Sequence, residues 1–266
     1  VRSSAASDVY KRQVLVRQNG IPTYFAADIA YHINKLETRN FDLAINIWGA
    51  DHHGHVARMK NALSAVGIDS GRLEIVLMQL VRLMQDGEIV RMSKRTGKAI
   101  TLNDLLEDVS IDAARFFFNM RGAGSHLDFD LSLAKEQSND NPVFYVQYAH
   151  ARICGILRLL SEEGINVKPY AEIKPELLTD ETELDLLKKL SDLPEEIRIS
   201  AESLEPSKMT RYVMDLASAF HTFYNACRVN VEDEDLRDCR MKLIDCTRQV
   251  IAGVLNMLKI TAPEKM

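Results

Sequence analysis

The chain has 266 residues and a formal net charge of -5, with 46% hydrophobic and 27% charged residues. That is the profile of an ordinary globular protein, with room for one large domain or two medium ones. No run approaches the roughly 18 apolar residues of a membrane span, and net acidity argues against blanket polyanion binding while leaving room for a local basic site.

The first thirteen residues, "VRSSAASDVYKRQ", are small and polar and have no apolar core. They read as a foreign or disordered leader and stand outside the fold argument. "VLVRQNGIPTYF" sets two short apolar runs around Asn19-Gly20, the strongest short hairpin signal. "DIAYHINKLET" follows with Ile29, Ile33 and Leu36 at helical spacing,. "LAINIW" is a continuous apolar strand of the kind a parallel sheet buries. "HVARMKNALSAVG" places Val56, Met59, Leu63 and Val66 on one helix face and closes on Gly67,. "LEIVLMQLV" is another strand-like run. Strand and helix signals alternating through residues 14–135 predict a parallel α/β layer.

From residue 136 the strand signal is gone. "NPVFYVQYAHARICGILRLL" opens with Pro142 in a first helical turn,. "ETELDLLKKLSDLPEEIRIS", "PSKMTRYVMDLASAFHTFYNACRV" and "RMKLIDCTRQVIAGVLNMLKI" follow as amphipathic segments, so residues 136–266 predict a helical bundle. Cys154, Cys227, Cys239 and Cys246 all lie in this second half without a CxxC pair. They read as small buried hydrophobes in a reducing compartment, and a cytoplasmic location is expected.

Three stretches carry chemistry. In "WGADHHGH", Gly49 follows the strand end, where a parallel sheet binds ligands. Asp51 is expected at the N-cap of the next helix, where it can accept backbone N–H bonds or reach a ribose hydroxyl. His52, His53 and His55 cluster at the positive helix start, which suits phosphate. A plain helix cap, a zinc site and solvated histidines are the rival readings, and zinc lacks partner ligands at a usual spacing. In "TYFAADIAYH", Tyr24 and Asp28 lie four residues apart on one helix face,. The pair suits a guanidinium, which a carboxylate binds bidentately; by spacing alone, a surface Asp and a half-buried Tyr are the simpler account. The third stretch, "EIVRMSKRTGKAITL", packs Arg91, Lys94, Arg95 and Lys98 into eight residues. It is either a solvated turn or a mobile polyphosphate clamp.

Taken in order, "MSKRTG", "TYFAADIAYH", "WGADHHGHVARMK", "DAARFFFNMRGAGSHLDFDLSLA", "NPVFYVQYAHARI" and the final "APEKM" resemble arginyl-tRNA synthetase, a class I aminoacyl-tRNA synthetase. "MSKRTG" is similar to the family's "KMSKS" loop, with Arg91 in place of its first Lys and Arg95 in place of its final Ser. The family's "HIGH" motif has no counterpart here. The resemblance implies the second half of a Rossmann-type nucleotide-binding catalytic domain (14–135) followed by an α-helical anticodon-binding bundle (136–266).

It further implies ATP-dependent activation of L-arginine to arginyl-adenylate and transfer to tRNA(Arg), with magnesium accompanying ATP. Tyr24, Asp28 and His52 match arginine-binding positions. Gly49, Asp51, His52 and His55 match the nucleotide segment. Met92, Ser93 and Lys94 match the mobile loop, where Lys94 would stabilise charge on the pyrophosphate side. Tyr148, Arg152 and Arg228 are the candidates for tRNA contact, although aromatic stripes at helical spacing are more often core. A monomer with no membrane association is expected. The competing function is a non-catalytic tRNA-binding module.

Overall fold

The computed structural model describes residues 14–91 and 100–266. Met92, Ser93 and Lys94, and the leader 1–13, lie outside the described residues. Two compact units make up the chain, Val1–Gln79 and Leu80–Met266.

The first unit begins with a minimal hairpin. Val16 and Pro22 form an antiparallel bridge, and Gly20 takes the left-handed φ of 78° that its turn requires,. Helix α1 (Tyr24–Ile33) starts at Thr23, whose hydroxyl accepts from the Ala26 N–H, and continues into a π-helical turn at Asn34–Thr38. Strand β1 (Ala44–Gly49) pairs in parallel with β2 (Leu73–Met78), from Ala44 opposite Leu73 to Gly49 opposite Met78. Helix α2 (His53–Ala65) connects them, and Gly67 at φ 84° ends it. The core is small: Ile29, Leu36, Met59, Leu63, Ile68 and Leu73 with Ala44.

The parallel β–α–β unit agrees with the sequence pattern, but the strand's burial does not. Ala44 and Asn46 are buried while Ile45 and Ile47 are 45% and 64% exposed. A continuous apolar run implies cover on both faces; among the described residues only one face of β1 has a packing partner. The run "LEIVLMQLV" also divides. Leu73–Met78 pairs with β1, whereas Val81 opens β3 (Val81–Gln85), which belongs to another sheet.

In the second unit β3 lies between β4 (Glu88–Ile89), antiparallel, and β5 (Leu127–Asp130), parallel. Helices α3 (Leu102–Asp108) and α4 (Ile111–Asn119) carry side-chain caps at Thr101 and Ser110, and α5 is Leu131–Lys135. The bundle follows: α6 (Pro142–Glu162), α7 (Glu181–Ser191), α8 (Leu193–Ser203), α9 (Ser207–Ala226) and α10 (Glu234–Met257). Pro142 occupies the first turn of α6 behind an Asn141 cap, as its ring allows. Segment 181–203 is two helices because Pro194, in the first turn of α8, has no N–H to carry the ladder onward.

One apolar core runs through this unit, from Phe116, Phe117 and Phe129 to Ile153, Phe220 and Ile251. The change of texture at residues 135–136 therefore falls inside a compact unit, because α4 packs against α6 and α9 while α5 and β5 pack against α4. The C-terminal segment folds back over the bundle. Gln147 donates to Asp112 and to the Thr261 carbonyl at 2.9 Å each, and His150 Nδ1 lies 2.9 Å from the Pro263 carbonyl. All four cysteines are free, and burial raises each thiol. Among the described residues no helix is long and apolar enough to cross a membrane.

Candidate functional site

In the α/β unit, α1 and the carboxyl end of β1 form the walls of an open cleft of about 900 Å³, within the size range of small-ligand sites. Tyr24 and Asp28 project from the first turns of α1; Asp51 and His52 come from the turn after β1; His55 comes from the first turn of α2. Residues 27 positions apart in sequence, such as Asp28 and His55, thus share one cleft. Tyr24 is 86% exposed, so its hydroxyl and the Asp28 carboxylate are free to receive a ligand.

The turn differs from its sequence reading. Asp51 lies in a 3-10 turn, Ala50–His52, and the N-cap of α2 is His52, with no side-chain cap bond. The Asp51 carboxylate instead sits 3.1 Å from His52 Nδ1, an exposed pair of little energetic weight. Gly49 has an ordinary φ of -62°, so its role is space: a Cβ there would stand 2.5 Å from Asp51 Oδ1. His55 is wedged between Phe25 and Trp48, with ring centroids at 5.3 and 5.4 Å. Burial, and then the Arg58 guanidinium, push its imidazole below the usual range,. Among the described residues no three His, Cys, Asp or Glu side chains converge as metal ligands.

A second constellation lies on the helical unit, where α6 and α9 enclose a pocket of about 290 Å³. Arg152 Nη1 donates to the Tyr148 hydroxyl at 2.7 Å, and its guanidinium lies 4.5 Å from the centre of the Tyr224 ring, a cation–π distance. The His221 ring is 6.1 Å from Tyr148, nearly parallel at 21°, and 4.9 Å from Tyr145. Burial, followed by Arg152, lowers the His221 imidazole. Two buried polar atoms of this pocket, Arg152 Nε and His221 Nε2, have no hydrogen-bond partner.

Of the sequence candidates, Tyr148 and Arg152 meet here; Arg228 is exposed and does not line the pocket. Phe220 and Phe223 are fully buried, packing residues as aromatic spacing most often means. His221 and Asn225 also line this pocket and were not singled out from sequence. The signal available was "FHTFYN" (220–225), in which His221 and Tyr224 fall three apart and so share a face.

The first unit thus carries a cleft beside the end of strand β1, and the second carries an aromatic–arginine pocket on its helical bundle. A family model described as "DALR anticodon binding domain" matches residues 146–266. A methionyl-tRNA synthetase from Mycobacterium tuberculosis superposes over 92% of this chain and 49% of its own with a TM-score of 0.65; at 14% identity that likeness is of fold alone. The fold is one that a solved aminoacyl-tRNA synthetase shares.

Within that class the agreement narrows. The arginine–tRNA ligase of Ruminiclostridium cellulolyticum is 64% identical over 96% of this chain and 45% of the relative. That of Acetivibrio thermocellus is 62% identical over 99% of this chain and 47% of the relative. A Campylobacter jejuni structure assigned as an arginyl-tRNA synthetase is 33% identical, with a TM-score of 0.83 over 97% of this chain and 55% of that one. The chain belongs with the arginyl-tRNA synthetases, as the portion that carries the anticodon-binding domain. It spans about half the length of the curated relatives it matches.

Proposed function

We propose that this chain is the part of an arginine–tRNA ligase that holds L-arginine and the adenosine end of ATP in its α/β unit and the anticodon arm of tRNA(Arg) on its helical unit. The observation that carries the reading is the single cleft shared by Tyr24, Asp28, Asp51 and His52. A carboxylate and a hydroxyl there suit a guanidinium, and the turn after β1 offers polar groups where α/β sheets bind nucleotides. In this reading the carboxylate of arginine attacks the α-phosphate of ATP, and pyrophosphate leaves. The arginyl group then passes to the terminal ribose of tRNA(Arg).

No enzyme nucleophile is needed; positioning and electrostatics supply the rate. In this reading Met92, Ser93 and Lys94 serve the phosphate side of ATP, where Lys94 stabilises the charge leaving on pyrophosphate. Magnesium belongs to the reading as the counter-ion that ATP brings. The acting species is a monomer. The exposure of Tyr24 favours, as a second reading, that these 266 residues by themselves act as a tRNA-binding module, since so open a cleft holds arginine weakly.

Filter binding of labelled tRNA(Arg) to the 266-residue chain tests the helical half. Saturable, salt-sensitive binding is expected. Arg152→Ala is expected to weaken it roughly tenfold or more, because a base stacked on an aromatic or arginine face contributes about 1–3 kcal/mol. Unchanged affinity in a folded Arg152→Ala protein removes the α6–α9 pocket from the interface.

A further inference from the structure

Among the described residues of the first unit, two polar side chains are buried, His32 at 4% and Asn46 at 8% exposure. They meet: Asn46 Nδ2 lies 2.7 Å from His32 Nε2. On the other side of the ring, His32 Nδ1 is 2.7 Å from the backbone carbonyl of Asp28. On the other side of the amide, Lys35 Nζ donates to Asn46 Oδ1 at 3.2 Å. Lys35 comes from the π-helical turn that follows α1, and such turns are frequent at functional sites.

Both ends of this chain of bonds have fixed polarity. A carbonyl oxygen only accepts and an ammonium only donates. Lys35 therefore turns the Asn46 oxygen toward itself and the amide N–H toward His32. The ring must then accept at Nε2 and donate from Nδ1 to the Asp28 carbonyl. Every link is satisfied in one direction, from Lys35 through Asn46 and His32 to residue 28, and no link is satisfied in the other.

We infer that His32 and Asn46 are positioning residues for the cleft, fixing the backbone of Asp28 to strand β1 through one directional hydrogen-bond chain. The inference rests on Asp28 being the group that meets the arginine guanidinium. A bidentate carboxylate contact tolerates little displacement, so the position of the α1 backbone relative to β1 sets how well arginine is held. A buried, fully bonded polar link sets that position more sharply than apolar packing, which admits small slides. Asn46 is on β1, three residues before Gly49 at the strand's end, so the same link ties the arginine side of the cleft to the nucleotide side.

The test is steady-state aminoacylation by the full-length protein with Asn46→Leu and Asn46→Asp, each checked for native melting. Asn46→Leu removes the link and is expected to raise the arginine KM about tenfold, with the ATP KM and kcat within about twofold. Asn46→Asp accepts from both Lys35 and a doubly protonated His32, so the bridge to the Asp28 carbonyl survives and the arginine KM stays within about threefold of the parent. An unchanged arginine KM in Asn46→Leu, an equal rise for ATP, or no rescue by Asn46→Asp overturns the inference. If Asn46→Leu does not fold, nitrogen-15 NMR of the parent decides: Nδ1 protonated and Nε2 bare at pH 7.5 is expected, and the opposite tautomer overturns it. Asp28→Ala in the same assay separates the two levels. A normal arginine KM there rejects the arginine cleft itself, whereas a raised one with a silent Asn46→Leu rejects only the positioning role.

Discussion

Replacing Asp28 with alanine in the full-length protein is expected to raise the KM for arginine by a factor of roughly 30 to several thousand and to leave the KM for ATP nearly unchanged. The size follows from the chemistry of the pair. A guanidinium presents parallel N–H donors that fit the two oxygens of one carboxylate, and truncating one partner of such a pair costs about 2–5 kcal/mol. Much of that is the penalty of leaving the substrate's charge without its partner once the cleft is filled. Asp28 stands on α1, on the same helix face as Tyr24, across the cleft from Asp51 and His52. Asp28→Asn keeps the shape and removes the charge, so it is expected to lose most of the same affinity while thermal stability holds, since the Asp28 side chain is exposed. Equal effects on arginine and ATP in steady-state kinetics would remove Asp28 from the amino-acid site.

The second large effect falls on rate. Lys94→Ala is expected to lower kcat about 100- to 1,000-fold with little change in the arginine KM, the loss typical of one electrostatic group aimed at developing charge. Its basis is the "MSKRTG" stretch. Although Arg91 and Arg95 depart from the family pattern, the central lysine keeps its place. Lys94→Arg is expected to recover part of the loss, because the charge returns but the compact point-charge geometry does not. An unaltered kcat in Lys94→Ala, measured by single-turnover adenylate formation, would take this lysine out of the mechanism.

Local signals were legible in the sequence; those that depend on distant partners were not. The α6 start at Asn141-Pro142, the α2 stop at Gly67 and the hairpin at Asn19-Gly20 are set by neighbours a few residues away, and each lies where the sequence pattern puts it. The division of "LEIVLMQLV" into β2 and β3 is set by which strands pair, with β1 on one side and β4 and β5 on the other. No local pattern encodes that choice. Asp51 follows the same logic. Its residue type says helix cap, but the Ala50–His52 turn moves the start of α2 one residue on and leaves the carboxylate beside His52.

The candidate sites divide in the same way. Tyr24 and Asp28 were visible as a helical i, i+4 pair, and their meeting with Asp51 and His52 agrees with the rule that ligands gather beyond strand ends,. Tyr148 and Arg152 are likewise four apart on α6. What sequence could not show is that α9 supplies His221 and Tyr224 to the same pocket, or that His32 meets Asn46 fourteen residues away. Neither His32 nor His221 stands out in the sequence. Their roles come from packing, in which a buried ring nitrogen must find a partner or remain unpaired.

Aminoacylation by the full-length protein, with each of the twenty standard amino acids and total tRNA, tests the central claim most directly. The account predicts ATP-dependent charging with arginine alone, on tRNA(Arg) alone. Charging with another amino acid, or no charging by a folded full-length protein with ATP, magnesium and tRNA(Arg) present, would contradict it.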